Sequence, residues 1–569
     1  MLLGYQQTAA AKVLWPEPME PVWQMQSGEY DEIDSNWKRP DITLSDRLFI
    51  GGVVNIPGEQ RPWGSITWLS NVYQTSRETI YTIGARTREG LLTPIIKSSD
   101  LIDSVVQAIA TNSVDTPTVT VTKNRLNRTA LTALLPGGSA LRPMQDLLNV
   151  AFDKSRSIGL LSELVNEAGS RAGVVLDQID FSPLGDVVLA RDETYFCDWP
   201  FLLSVEPNSY TIISGYVEDV CDGETWGVSL AIDEETRGLH IVGLAEDGAS
   251  CYSKSLKEAE KLLGVEFSVP VQKDVWHIMD KAHQKVIDLE RIGLNQVKTA
   301  DAIYEKQVNK PWSEEGFEKW AGADEAADEL LEMSDQLRFW YGCLCDALEI
   351  VDWRSGEIRD REINQWLLDE TLEGLRQLDH PRVKKLVTSL ENQYGEMLTF
   401  LDWLEVQLVP WQRQLARAFP NPADQQFFQA TVATSWRLNR ALVNGHKQFN
   451  DQATYAQELL SELVADDVEA LKLAEQLLTI LEGTIRTSCA AETINSILKP
   501  YLRVKRSFQC KRTAQNFLNL FILWFNMHVF KRKKRAGKSP FQWAGIKVYT
   551  PDGRETDDWL EALGYPPDA

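Results

Sequence analysis

The chain has no long, unbroken hydrophobic run. Its longest apolar stretch, Phe517 to Phe530, is interrupted by Asn519, Asn526 and His528 and is short for a bilayer span, so no membrane helix is expected. Cysteine is scarce: seven residues are scattered without paired spacing, apart from Cys343-Leu344-Cys345, and an odd count argues against a disulfide framework. The first residues lack the basic start and apolar core of a secretion signal. Together these absences point to a reducing compartment. Acid is missing from one long segment: between Tyr501 and Pro540 there is no Asp or Glu, although the net charge of the whole chain is −24.

What is present suits a large globular protein. With 569 residues, 43% hydrophobic composition and 19 tryptophans, there is core material for three or four structural units. Acidic side chains gather in the middle, as in Asp324 to Asp335 and Glu462 to Glu469. The acid-free segment carries Arg503, Lys505, Arg506, Lys511, Arg512, Lys531, Arg532, Lys533, Lys534, Arg535 and Lys538. Local patches, rather than net charge, decide where a polyanion docks, so this basic segment is a candidate for contact with a nucleic-acid backbone.

Periodicity divides the chain. Residues 1–60 show none. Residues 61–185 contain two segments of helix-turn-helix character. In the first, Ile66, Trp68, Leu69 and Val72 form an apolar face, Tyr73-Gln74-Thr75 reads as a turn, and Ser76 caps a second helix, with Arg77 at its start and Arg86 and Arg88 beyond. In the second, Met144, Leu147, Leu148 and Ala151 share a face, and Ser155-Arg156-Ser157 caps a helix that Gly169 is expected to end. Lys123, Arg125 and Arg128 form a small basic stretch between them.

Strand signals occupy residues 186–273: a run from Asp186 to Thr194, then Ser209 to Val217, Thr225 to Ile232, His240 to Ala245 and Glu266 to Val271, with a helix at Ser253 to Leu263. Residues 274–485 read as nearly continuous helix, with breaks expected at Pro381, Pro410 and Asn421-Pro422. Residues 486–546 return a helix and the apolar stretch that should pack on the sheet, and 547–569 form a tail.

Three acids stand out by position. Asp192 ends one apolar run, Asp247 ends another before Gly248, and Glu492 lies in a segment of helical spacing. Carboxylates from two strands and a helix are the oxygen donors that Mg²⁺ or Mn²⁺ prefers, whereas histidine or cysteine would favour zinc. Glu492, Asn495 and Lys499 share one helical face, which combines a candidate metal ligand, a polar contact and a phosphate-reaching lysine. Asp274 and His277 lie one helical turn apart at the start of the long helical region, placed to clamp it to the sheet, with contact of His277 to DNA or the scissile phosphate as the alternative. The tryptophans at 340, 403, 411 and 436 read mainly as core residues, with Trp436 beside Arg437 and Arg440 also considered as a platform for a flipped base.

This ordered set, with Asp274-Val275-Trp276-His277 following the second acid, resembles DDE-type transposases, in particular Mutator-like, hAT and some bacterial insertion-sequence enzymes. The resemblance covers roughly Asp186 to Ile546. It implies an α/β RNase H-like catalytic core interrupted by a large all-α insertion and preceded by helix-turn-helix-like DNA-binding modules. It further implies two Mg²⁺ (or Mn²⁺) ions on Asp192, Asp247 and Glu492, and cleavage of DNA at terminal inverted repeats followed by joining of the 3′-hydroxyl to target DNA. A homodimer or higher oligomer on double-stranded DNA is expected, located in the cytoplasm with the nucleoid or in the nucleus according to host. The alternatives are a non-catalytic DNA-binding regulator and a structure-selective nuclease. Expected DNA contacts are Arg77, Arg86, Lys123, Arg125, Arg128, Asn495, Lys499, Arg503, Lys505, Arg506, Lys531, Arg532, Lys533, Lys534 and Arg535.

Overall fold

The computed structural model describes residues 42, 44–55, 65–97 and 121–568, except Ser155, Ser250, Ser253, Asp466, Arg506, Lys533 and Lys534. Most of the 1–60 segment, the Trp68 and Arg88 side chains, and the basic residues Arg506, Lys533 and Lys534 therefore lie outside the described residues. The chain forms two compact units, Met1–Thr120 and Val121–Ala569.

In the first unit, α1 (Leu44–Val54), α2 (Ser65–Val72) and α3 (Arg77–Lys97) pack around Ile50, Val53, Leu69, Ile80 and Ile83. Gln74 reverses the chain between α2 and α3 with φ +45°, and the Ser76 hydroxyl accepts the Thr79 N–H at 3.1 Å, as an N-cap should. The second helix is much longer than the short one read from the sequence, and Val72 faces outward rather than joining the apolar face.

The second unit opens with α4 (Lys123–Leu134), α5 (Leu141–Phe152) and α6 (Ile158–Asp177). Leu131, Met144, Leu148, Leu161 and Leu164 of these helices belong to the same core as the sheet, so the expected 61–185 module divides at Thr120. Leu147 is exposed, but Ser157 does cap α6, accepting the Leu160 N–H at 3.2 Å. Gly169 does not end that helix. It lies in the interior of α6, where an added Cβ would sit 2.1 Å from the Asn516 carbonyl oxygen. The glycine serves close helix packing, a role that sequence alone cannot separate from a stop signal.

Five strands follow: β1 (Asp186–Phe196), β2 (Trp199–Glu206), β3 (Thr211–Val217), β4 (His240–Glu246) and β5 (Val271–Lys273). Their order is β3-β2-β1-β4-β5, with β1, β2 and β3 antiparallel neighbours and β4 and β5 parallel to β1. β2 was not read from the sequence. Conversely, the expected strand Thr225 to Ile232 is mostly helix, α7 (Gly223–Ala231), because Asp222 and Thr225 form a reciprocal capping box at its start. A short apolar run suits either state, and the cap decides it. β5 is shorter and later than expected, set by its pairing of Val271–Lys273 with Leu244–Glu246.

Alternation along β1 gives the sheet two distinct faces. Asp192 pairs with Leu203 and Glu193 with Leu202. Leu203 lies on the face covered by α17 (Cys489–Arg503) and α18 (Lys511–Met527), whereas Leu202 packs with Trp226 and Tyr252 toward α7 and α8 (Ser255–Leu263). One polar break in the apolar stretch, Asn526, serves the sheet edge. Asn526 of α18, fully buried, both donates to the Ile212 carbonyl (2.8 Å) and accepts its N–H (2.9 Å). Gln515 does the same work for Gly215 and Val217. These amides satisfy the outer edge of β3, which would otherwise present unpaired backbone groups.

Between β5 and α17 the chain forms α9 (Val275–Gln307), α10 (Glu314–Ala347), α11 (Arg361–Arg376), α12 (Pro381–Glu391), α13 (Thr399–Ala418), α14 (Pro422–Val443), α15 (Asn450–Val464) and α16 (Val468–Gly483). These helices have a core of their own, including Leu289, Leu337, Leu344, Phe400, Trp411 and Leu477. Pro381 and Pro422 occupy first helical turns, whereas Pro410 lies inside α13 without ending it. Pro410 and Val406, whose carbonyl would have been its partner, are both on the solvent side, where water can replace the missing bond. Gln272, fully buried in β5, joins the two cores by donating to the Met397 carbonyl and accepting the Phe400 N–H.

The last residues are not a loose tail. After α19 (Pro540–Ala544), Val548, α20 (Trp559–Ala562), Leu563 and Tyr565 are buried against the sheet unit. Among the described residues, no helix is long and apolar enough to cross a membrane.

Candidate active site

Asp192 lies within β1 rather than at its end, on the face toward α17. Asn495, 1% exposed, donates its Nδ2 to Asp192 Oδ2 at 2.8 Å, and its own Oδ1 is buried without a partner among the described residues. Burial pushes the Asp192 carboxyl above its usual range and the Asp247 charge adds to this, while Asn495 and Lys499 oppose it.

β4 ends at Glu246, and the two acids at this sheet edge have different fates. Glu246 is buried and held by Arg191 and by Lys273, the latter at 2.7 Å. Asp247, just beyond the strand, makes no ion pair among the described residues and accepts only the Ala249 N–H at 2.8 Å. Gly248, at φ +81°, turns the chain immediately after it. Asp247 is the acid at this edge available for a ligand.

Glu492 occupies the first turn of α17, its carboxylate 3.3 Å from His277 Nδ1. Burial raises its pKa first; His277 opposes, and Asp274, Asp192 and Asp247 each add to the rise. Asp274 caps α9: Oδ1 accepts the His277 N–H at 2.9 Å, while Oδ2 accepts the Ser488 N–H at 2.7 Å and hydroxyl at 2.8 Å. Burial pushes the Asp274 carboxyl up, but the bonds from His277 and Ser488 outweigh it and hold the group below the usual range. Its imidazole partner, with Nδ1 3.6 Å from Asp274 Oδ1, is too far for a hydrogen bond but near enough for charge attraction. The aspartate therefore raises the His277 pKa, with burial opposing.

Asp274, His277 and Glu492 bring donor atoms within 4.8 Å of one another. Asp192 and Asp247 fall outside that spacing, although both charges are felt at Glu492. Asp274 has both oxygens committed, so its role is to fasten the start of α9 to Ser488, just ahead of α17. Ser488 was not singled out in the sequence, and its position four residues before Glu492 was the only signal.

No protein-family model and no curated protein matches the chain in sequence.

The expected DNA contacts separate into outward and inward groups. Lys123, Lys499, Arg503, Lys531 and Arg532 are exposed, as are Arg77 and Arg86 in the first unit. Arg128, by contrast, binds the Tyr565 carbonyl and Asp558 (2.6 Å), and Arg125 lies 4.0 Å from Asp568. Arg535 stacks on Tyr210 at 3.9 Å and donates to the Asn208 carbonyl at 2.9 Å. Lys505 places its ammonium 4.8 Å from the Phe517 ring, and burial lowers its pKa to about 8. Arg128, Arg535 and Lys505 are thus engaged within the protein, whereas Arg125 keeps 41% of its side chain exposed. Trp436 is also inward: it is 5% exposed and donates to Glu482 at 3.0 Å, which leaves no open face for a base.

Proposed function

We propose that the chain is a DDE-type transposase with an RNase H-like core. The observation that carries this reading is the placement of three mutually repelling acids. Asp192 is on the central strand, Asp247 follows the adjacent parallel strand, and Glu492 is on the helix that returns from a large helical insertion. The strand order supports the same core. An all-oxygen donor set, with the unpartnered Asn495 Oδ1 beside it, fits Mg²⁺ or Mn²⁺. Two such ions, when bound by Asp192, Asp247 and Glu492, supply positive charge to the attacking and leaving oxygens of a phosphodiester.

The remaining work falls to the chain's own residues. Asn495 orients Asp192, and the Asp274–His277 pair sets the approach of Glu492. Lys499 and Arg503, exposed on α17, are available to a DNA backbone. No side chain is required as nucleophile: water cuts the strand and the freed DNA 3′-hydroxyl attacks the target. The first unit would recognise terminal inverted repeats, with Arg77 and Arg86 outward on α3. Joining two DNA ends requires at least a dimer.

The test is a cleavage and joining assay on DNA carrying the sequences that flank the gene, with Mg²⁺ or Mn²⁺. Asp192→Asn, Asp247→Asn and Glu492→Gln should each abolish both reactions while DNA binding persists. Near-normal cleavage by any one would show that residue misassigned. Cleavage without joined products would favour a nuclease, and binding without cleavage by the unaltered protein would favour a regulator.

A further inference from the structure

β1 delivers a second carboxylate to the opposite face of the sheet. Glu193 pairs with Leu202 and points toward α7 and α8, away from Asn495. Beside it stand Cys221, one residue before the cap of α7, and Cys251, in the loop between Asp247 and α8. A carboxylate oxygen of Glu193 and both sulfurs lie within 4.8 Å of one another, and both cysteines are free thiols.

The surroundings are built for donors of this kind. The Tyr252 hydroxyl donates to Glu193 Oε2 at 2.8 Å, fixing the carboxylate. Trp226 is completely buried, its indole N–H has no hydrogen-bond partner among the described residues, and it lies near enough to Cys221 to favour the thiolate. A buried donor without an acceptor is costly, and a metal-bound thiolate would satisfy it. The Arg191 guanidinium lies 5.3 Å from the Trp226 ring and 4.8 Å from that of Tyr252, holding both aromatic walls. Glu193, Cys221 and Cys251 are each only partly buried, so an ion can enter and keep one solvent ligand.

We propose that Glu193, Cys221 and Cys251 bind a thiophilic divalent cation of the zinc class. Two sulfurs and one carboxylate oxygen make three of the four tetrahedral positions that zinc prefers, and sulfur excludes magnesium. The cation would tie β1 to the loop that begins with Asp247, four residues before Cys251. It thereby fixes an edge of the candidate active site from the far face of the sheet. The site stands apart from the transposase reading, because its test measures binding and not cleavage.

The experiment uses the full chain, reduced and stripped with a chelator, then titrated with Co²⁺ and afterwards with Zn²⁺. One equivalent of Co²⁺ should give thiolate-to-metal charge transfer together with the visible bands of tetrahedral cobalt, and Zn²⁺ should displace it. C221S and C251S should each lose the charge-transfer signal, whereas C343S should keep it. W226F, which retains an aromatic ring and removes the N–H, should weaken Co²⁺ binding about 10- to 100-fold while the chain stays folded by circular dichroism. A signal that survives C221S and C251S would overturn the proposal. So would cobalt bound without thiolate charge transfer, or a reduced protein that binds no Co²⁺ and forms a Cys221–Cys251 disulfide in air.

Discussion

Asp233, outside the candidate active site, shows how a single side chain can set a pH response. It is completely buried, accepts from the Ser214 hydroxyl at 2.9 Å, and lies 3.6 Å from Arg237. Burial raises its pKa to about 6 despite Arg237. A carboxyl whose folded pKa is raised costs nothing below its unfolded value, and the cost grows with pH until it is complete above about 6. Asp233→Asn mimics the protonated form. It should therefore stabilise the protein at neutral pH by roughly 3 kcal/mol, taking two pKa units at about 1.4 each. Most of that gain should vanish near pH 4; urea denaturation at both pH values measures it, and an equal effect at the two would refute the assignment. At this same scale the sequence marked Asp192, Asp247, Asp274, His277 and Glu492 by their place after apolar runs or on one helical turn. It could not show that Arg128, Lys505 and Arg535 are turned inward, because a basic side chain reads alike whether its partner is a phosphate or another part of the protein.

At the scale of elements, helix α6 and helix α18 approach so closely that one glycine decides their packing. Gly169→Ala should destabilise the second unit by about 1–3 kcal/mol, because the added methyl meets the Asn516 backbone and not a flexible side chain. Gly159, in the same helix, has only the Ser157 hydroxyl within reach, at 3.8 Å. Gly159→Ala should instead stabilise by about 0.5–1 kcal/mol, through the ordinary advantage of alanine in a helix. Equal effects of the two substitutions in urea denaturation would show that α6 and α18 do not approach in this way. The helices of the insertion were legible because their apolar spacing persists over many turns. The strand-to-helix error at Thr225 to Ile232 arose where the run was short and a capping box outweighed it.

For the whole molecule the issue is how a chain of net charge −24 would hold DNA. Exposed Lys499 and Arg503 on α17, with Lys531 and Arg532 beyond α18, are the cations that the proposed function leaves for phosphate binding. Replacing Lys531 and Arg532 with glutamine should weaken binding equally for all DNA sequences. It should also reduce the slope of log affinity against log salt by about 1 for each phosphate that is no longer neutralised. Replacing Arg128 should leave that slope unchanged and lower stability, since its guanidinium is bound to Asp558 and Tyr565. A salt slope that responds to Arg128 and ignores Lys531 and Arg532 would reverse this division.

The sequence alone determined the alternation of a strand-bearing region, a long helical region and a closing apolar helix, together with the acids at their junctions. Those features follow from local periodicity and capping, which each segment carries in itself. Tertiary structure decided the strand order, the existence of β2 and the burial of the last residues. It also decided which face of β1 receives Asp192 and which receives Glu193. These depend on partners distant in the chain: Asn495 lies 303 residues from Asp192, and Asp568 lies 446 from Thr122. Hydrogen bonds and burial across such distances leave no periodic trace in either partner, so only the folded chain reveals which polar groups are spent on structure and which remain for a ligand.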